Sequence, residues 1–353
     1  MNALSTLWYT RCPALTASSL AIAYGWLERE FEKDGIEVLS LLQSATRDTR
    51  ESHFSHSQPN SFRHGGNIPP IWARSNGGDT RVIGLTWSET PYFVLALPES
   101  GIRSAADLKH KRVALPRRLN DSIDFARAMY LRVYEQALGS AGLSLRDVEV
   151  VDLPVQQGYL DDSSAPSRDG ALWNAAQLRG FQRTEILALL KGQVDAIPSS
   201  GFWGAENVAG LGMRTVFDSR STADSLARFN SGNPLILSVN GSLVDERSDL
   251  VTRWIACLLR AARWGRANPS DTVRIAAKES GVAEAFVEIT APEGLDAHLD
   301  ISLSGAVVAS LEAQKDYLLD RGFIQHDFDV EKWIAREPLE QALRQAALEP
   351  LPA

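Results

Sequence analysis

Three reactive side-chain types occur near the start of this chain. Cys12 stands in Tyr9-Thr10-Arg11-Cys12-Pro13 and is one of only two cysteines in 353 residues. Downstream runs a polar stretch, His53-Phe54-Ser55-His56-Ser57-Gln58-Pro59-Asn60-Ser61-Phe62-Arg63-His64-Gly65-Gly66. If both segments face one site, a thiol, an imidazole and a guanidinium surround a single bound anion. A Cys-Pro step ahead of a helical pattern predicts the thiol at a helix N-terminus. Pro13 then takes the first helical position, where its missing N–H costs nothing. Such a helix start attracts anions and favours thiolate. Arg63 offers a planar fork for two oxygens of an oxyanion. The thiol can serve as proton donor or as nucleophile. His53 can orient the thiol or activate water.

Taken singly, each residue has a plainer reading. Cysteine is among the most buried residue types. Cys257, within Trp254-Ile255-Ala256-Cys257-Leu258-Leu259, reads as inert core. His53 alone reads as a surface-loop histidine and Arg63 alone as a solvated loop residue. His53, His56 and His64 have no carboxylate nearby and match no zinc spacing, so no metal is expected. Most of the nine tryptophans and twelve phenylalanines read as core. Phe54 is set apart as a candidate lining for an aromatic ligand.

Composition narrows the partners. A net charge of −8 argues against nucleic acid and anionic membrane surfaces. No apolar run approaches the ~18–20 residues that span a bilayer. Two distant cysteines make no disulfide framework and suit a reducing compartment. The N-terminal residues lack the basic and apolar regions of a secretory signal. A cytoplasmic, monomeric protein that binds a small molecule is therefore expected.

The chain is long enough for two lobes. It opens strand–helix–strand: Met1 to Tyr9, a helix over Ala14 to Lys33 stopped at Gly35, then Ile36 to Leu42. Residues 43–70 show no period and read as a long loop, as do 156–170. Strand character returns over 81–97, 112–116, 148–153, 194–197, 215–217 and 234–239. Helices are expected over 122–138 and 181–190. The chain is mostly helical from Ser248 onward. Strands alternating with helices predict an α/β fold with mostly parallel sheets and a helical C-terminal region. Residues 1–97 with 237–353 form the expected first lobe, 98–236 the second, with a cleft between them.

Particular residues carry a resemblance. Ser104-Ala105-Ala106-Asp107-Leu108 through Ala114, Leu190-Lys191-Gly192-Gln193-Val194-Asp195-Ala196, and Asp245 through Pro269 resemble the type II periplasmic-binding-protein fold. That likeness implies fold and leaves chemistry open. Cys12-Pro13 with His53-Phe54, Gln58-Pro59, Arg63, Gly65-Gly66 and Ile68-Pro69-Pro70 resembles the 2′-hydroxybiphenyl-2-sulfinate desulfinases. The resemblance implies an active site of Cys12, His53 and Arg63, with Gly66 contributing backbone to sulfinate binding. It implies a cofactor-free hydrolase that cleaves an aryl carbon–sulfur bond to give 2-hydroxybiphenyl and sulfite. His56 and His64 depart from the aromatic residues expected there, and Arg11 from a small polar one.

Two other functions fit the same fold. A receptor for aromatic sulfonates would share the anion site but would not need Cys12. A pyrimidine-precursor synthase would need a cluster of cysteines, which this chain lacks.

Overall fold

A computed structural model describes residues 4–160, 182–224 and 226–348. They form two compact units. The first comprises 1–89, 231–279 and 293–353; the second comprises 90–230 and 280–292. These boundaries shift the expected ones at 97/98 and 236/237. The shift has a cause in pairing. The strand Tyr92–Ala96, expected in the first lobe, pairs with two strands of the second unit. Residues 231–234 instead hold first-unit partners: Ser231 O accepts from Asn67 N and Gly232 O from Ser88 Oγ.

The first unit is built on β1 (Thr6–Arg11), β2 (Glu37–Ser40), β3 (Ser61–Gly65), β4 (Thr80–Thr86) and β10 (Leu235–Asn240), in the order β2-β1-β3-β10-β4. β1 pairs parallel with both β2 and β3, as strand–helix–strand crossovers require. β10 enters from the second unit and runs antiparallel to β3 and β4. The expected helix over 14–33 is two short ones, α1 (Ala17–Ala23) and α2 (Trp26–Glu32). Gly25, at φ +66°, separates them in a left-handed conformation that a side chain would strain. The expected loop over 43–70 contains α3 (Arg47–Ser55), β3 and α4 (Ile68–Ser75).

Strand register fixes which side chains share a face. Thr10 lies opposite Arg63 on the parallel β1–β3 ladder, so both point the same way. Phe62 and His64 alternate to the other face. There Phe62 stacks on Trp254, centroids 4.0 Å apart and planes 2° apart. Trp254 belongs to α5 (Gly241–Ala267), the long helix expected from Leu250 onward. Burying an aromatic ring of this size stabilises by roughly 2–3 kcal/mol. This face is therefore held by hydrocarbon, while the face of Thr10 and Arg63 meets α3.

The second unit centres on β5 (Tyr92–Ala96), flanked antiparallel by β8 (Ile197–Ser200) and β9 (Arg214–Asp218). β6 (Arg112–Arg118) and β7 (Glu149–Val155) pair parallel. Phe93, Leu95, Ala114, Leu153 and Ile197 lie in its core. A buried polar network joins Gln182 to Tyr130, Ser199 and Asn207. Residues 161–170 of the second expected loop, and Phe181 at the start of the next helix, lie outside the described residues. Among the described residues no helix is long and apolar enough to cross a membrane.

Candidate active site

Cys12 sits one residue past β1. Its N–H donates to His64 O at 3.2 Å, so the β1–β3 ladder continues to the thiol. A tight turn follows, with Ala14 N donating to Cys12 O at 2.8 Å. The helix starts only at Ala17, behind the N-cap Thr16, whose N–H donates to Ser19 Oγ at 3.1 Å. The expectation that Pro13 opens the helix and Cys12 sits at its positive end is therefore corrected. Thr16 and Ser19 form a capping box and take the N-terminal position themselves.

Arg63 is a strand residue, only 1% exposed, rather than a solvated loop residue. Its Nε donates to His53 O at 3.2 Å and its Nη1 to Gly66 O at 2.8 Å. Its Nη2 points at Cys12 Sγ, 3.5 Å away. The guanidinium turns inward and ties the thiol to two backbone carbonyls. It also carries positive charge to the sulfur.

His53 is likewise no surface residue. It lies in the last turn of α3, 4% exposed, and Thr10 Oγ1 meets its Nδ1 at 2.8 Å. The structure thus joins Cys12, Arg63 and His53, with Arg63 as the link between sulfur and the His53 backbone. Phe54 is 1% exposed and packs edge-on against the His53 ring, centroids 4.9 Å apart. It walls the imidazole and presents no open face to a ligand, contrary to its expected role.

The two glycines answer two close approaches. A Cβ on Gly65 would meet Cys12 Sγ at 2.5 Å. A Cβ on Gly66 would meet Ser231 Oγ at 2.9 Å and Ser231 O at 3.2 Å. Gly65 therefore makes room for the thiol, a role the sequence analysis gave to neither glycine. Gly66 serves Arg63 through its carbonyl.

Burial dominates the electrostatics. It pushes His53 well below the ordinary imidazole value, with the Arg63 charge and then His56 adding in the same sense. His56 and His64 fall to about 3 for the same leading reason, again followed by Arg63. All three imidazoles are neutral at pH 7. His64 bonds Ser18 Oγ through Nδ1 at 2.8 Å, on the far face of the sheet. His56 donates Nδ1–H to Phe54 O at 3.0 Å. Among the described residues no group of three or more His, Cys, Asp or Glu is placed to hold a metal.

Arg11, beside the cysteine, forms a two-pronged ion pair with Glu279. Its charge is answered there, while Arg63 is the cation in contact with the thiol. Thr10, Gly65 and Ser231 are the site residues that sequence reasoning missed. Thr10 was detectable in principle, because it lies two residues before Cys12 and shares its side of the strand.

No protein-family model matches the chain. A 2′-hydroxybiphenyl-2-sulfinate desulfinase of Rhodococcus erythropolis is 29% identical, over 96% of this chain and 93% of the relative. One from Rhodococcus qingshengii matches to the same extent. A crystal structure of the desulfurization enzyme DSZB superposes with a TM-score of 0.75 at 25% identity, covering 97% of this chain and 99% of that one. The periplasmic aliphatic sulphonate binding protein SsuA of Escherichia coli superposes with a TM-score of 0.64 at 17% identity, over 95% and 93%, and shares the fold alone. Over nearly its whole length, in sequence and in fold, this chain is similar to the 2′-hydroxybiphenyl-2-sulfinate desulfinases.

Proposed function

We propose that this protein is an aryl-sulfinate desulfinase. It hydrolyses the carbon–sulfur bond of 2′-hydroxybiphenyl-2-sulfinate to 2-hydroxybiphenyl and sulfite. The observation that carries the reading is the thiol of Cys12, 3.5 Å from the buried Arg63 Nη2 and joined through it to His53. Likeness to desulfinases over 96% of the chain supports it.

The chemistry needs a proton at the ring carbon that bears sulfur. Cys12 supplies it, the carbon–sulfur bond breaks, and its electron pair stays with the ring. Sulfur leaves as SO₂. Water adds to SO₂, giving bisulfite, and the proton released restores the thiol. The sulfur anion left on Cys12 between these steps faces the Arg63 cation, in a setting where such attraction is strong. Neutral His53, held by Thr10, orients the incoming water. No cofactor takes part. We place the reaction in the cytoplasm, where both thiols stay reduced.

The test is direct. Purified protein incubated with 2′-hydroxybiphenyl-2-sulfinate releases sulfite and 2-hydroxybiphenyl in equal amounts. Cys12→Ser abolishes release and retains binding. Substrate bound by the unaltered protein without any sulfite release would instead make it a receptor.

A further inference from the structure

His56 has no role in the mechanism above, yet its placement is unusual. It caps α3 at φ +56°, a left-handed conformation in which Gly or Asn is the ordinary occupant. Asn240 holds it there. Asn240 Nδ2 donates to His56 O at 3.3 Å, and its Oδ1 accepts from Ser61 N at 2.7 Å. The ring is oriented as well. Nδ1–H donates to Phe54 O, so in the neutral ring Nε2 carries the lone pair. That Nε2 is shielded from solvent and has no hydrogen-bond partner among the described residues. A buried acceptor left unanswered is costly, and a hydroxyl donor would answer it. His56 follows His53 by three residues at the end of α3, and its Nδ1–H holds the carbonyl of Phe54, whose ring packs against His53; the His53 carbonyl in turn accepts from Arg63, so the ring stands beside the site.

A neutral acceptor rejects one part of the substrate and accepts another. Sulfinate oxygens have no proton to offer it. A hydroxyl does. We infer that His56 is a specificity residue whose Nε2 accepts a hydrogen bond from a hydroxyl on the aromatic substrate, so that the site reads a phenol as well as a sulfinate. This rests on the desulfinase reading for its substrate, and the test separates the two.

Sulfite release is compared for 2′-hydroxybiphenyl-2-sulfinate and hydroxyl-free biphenyl-2-sulfinate. The unaltered protein prefers the hydroxylated substrate at least about tenfold in kcat/KM. His56→Gly and His56→Asn, both compatible with the left-handed backbone, bring that ratio to near one. Equal rates on both substrates in the unaltered protein, or an unchanged ratio in either folded variant, overturn the inference. A second readout does not depend on turnover. The ¹⁵N resonance of His56 Nε2 shifts when 2-hydroxybiphenyl is added and stays in place with biphenyl. No shift with the phenol, or the same shift with both, overturns the assignment. Absence of sulfite from either sulfinate removes the desulfinase reading instead, while the resonance still decides for or against His56.

Discussion

Arg63 makes contacts that its chemistry alone does not foretell. An arginine among glycines invites a picture of a fork held out to an oxyanion. Here its three nitrogens reach His53 O, Gly66 O and Cys12 Sγ. Lysine offers one compact charge and cannot span three such positions. Arg63→Lys should therefore lower kcat by about 100-fold or more, an effect of about 3 kcal/mol, with a smaller change in KM. A KM effect alone would return Arg63 to a simple substrate clamp. Thr10 makes a second residue-scale prediction. Its hydroxyl holds His53 Nδ1, so it fixes the ring and its tautomer. Thr10→Val keeps the shape, should cost about tenfold in kcat and should alter the pH–rate profile, whereas Thr10→Ser restores both. An unaltered profile in the valine variant would assign Thr10 to packing only.

At the scale of elements, the site is assembled by a polar helix and a polar strand. α3 is Arg-Asp-Thr-Arg-Glu-Ser-His-Phe-Ser, and it buries Arg50, Ser52 and His53 along with Phe54. β3 is Ser-Phe-Arg-His-Gly and is buried throughout. Hydrophobic periodicity reads elements by their apolar face. These two elements satisfy buried polar groups through hydrogen bonds instead, so the stretch 43–70 looked like a loop. The parallel β1–β3 ladder then brings the end of β1 against the end of β3, and Gly65 leaves room for the sulfur. Gly65→Ala should displace the thiol and remove most activity while the protein stays folded. Full activity in that variant would show that the thiol can shift at no cost. Asn240→Ala should loosen the turn from α3 to β3 and lower stability by about 1–3 kcal/mol, measured by urea denaturation. An unchanged midpoint would mean that the turn holds without it.

For the whole molecule, acid stability follows from the buried imidazoles. His53, His56, His64 and His298 all lie below the ordinary value because burial disfavours their charged forms. The unfolded chain binds protons at these sites near pH 6.5, and the folded chain does so only near about 3 for His56 and His64 and about 4 for His298. Their contribution is fully present above pH 6.5 and is lost as pH falls toward the folded values, at about 1.4 kcal/mol per pH unit for each such group. Glu185 opposes this. Burial raises it to about 7, so its protonated folded form gains stability as pH falls. Glu28 and Asp124 shift the same way, without so large a displacement. Four imidazoles outweigh them, and the urea midpoint should fall steadily from pH 6.5 to 5. A flat profile over that range would mean that the imidazoles are open to protonation in the folded state.

The sequence by itself determined the α/β class and the mixture of crossovers and helical tail, and it singled out a candidate reactive set. Strands such as Pro234 to Val239 and helices such as Pro269 to the Gly281 stop were visible because they repeat hydrophobic residues at the spacing of their own backbone. Cys12, His53, Arg63 and the Gly-Gly pair stood out through their resemblance to the desulfinases, since each taken singly reads as core or solvated loop. Tertiary structure alone decided their contacts. It moved the helix start from Pro13 to Ala17, turned Arg63 inward, enclosed Phe54, and recruited Thr10 and Gly65. Those contacts depend on which atoms meet across a parallel ladder between segments far apart in the chain. Local pattern records the period of one segment and says nothing about the partner that folding places beside it.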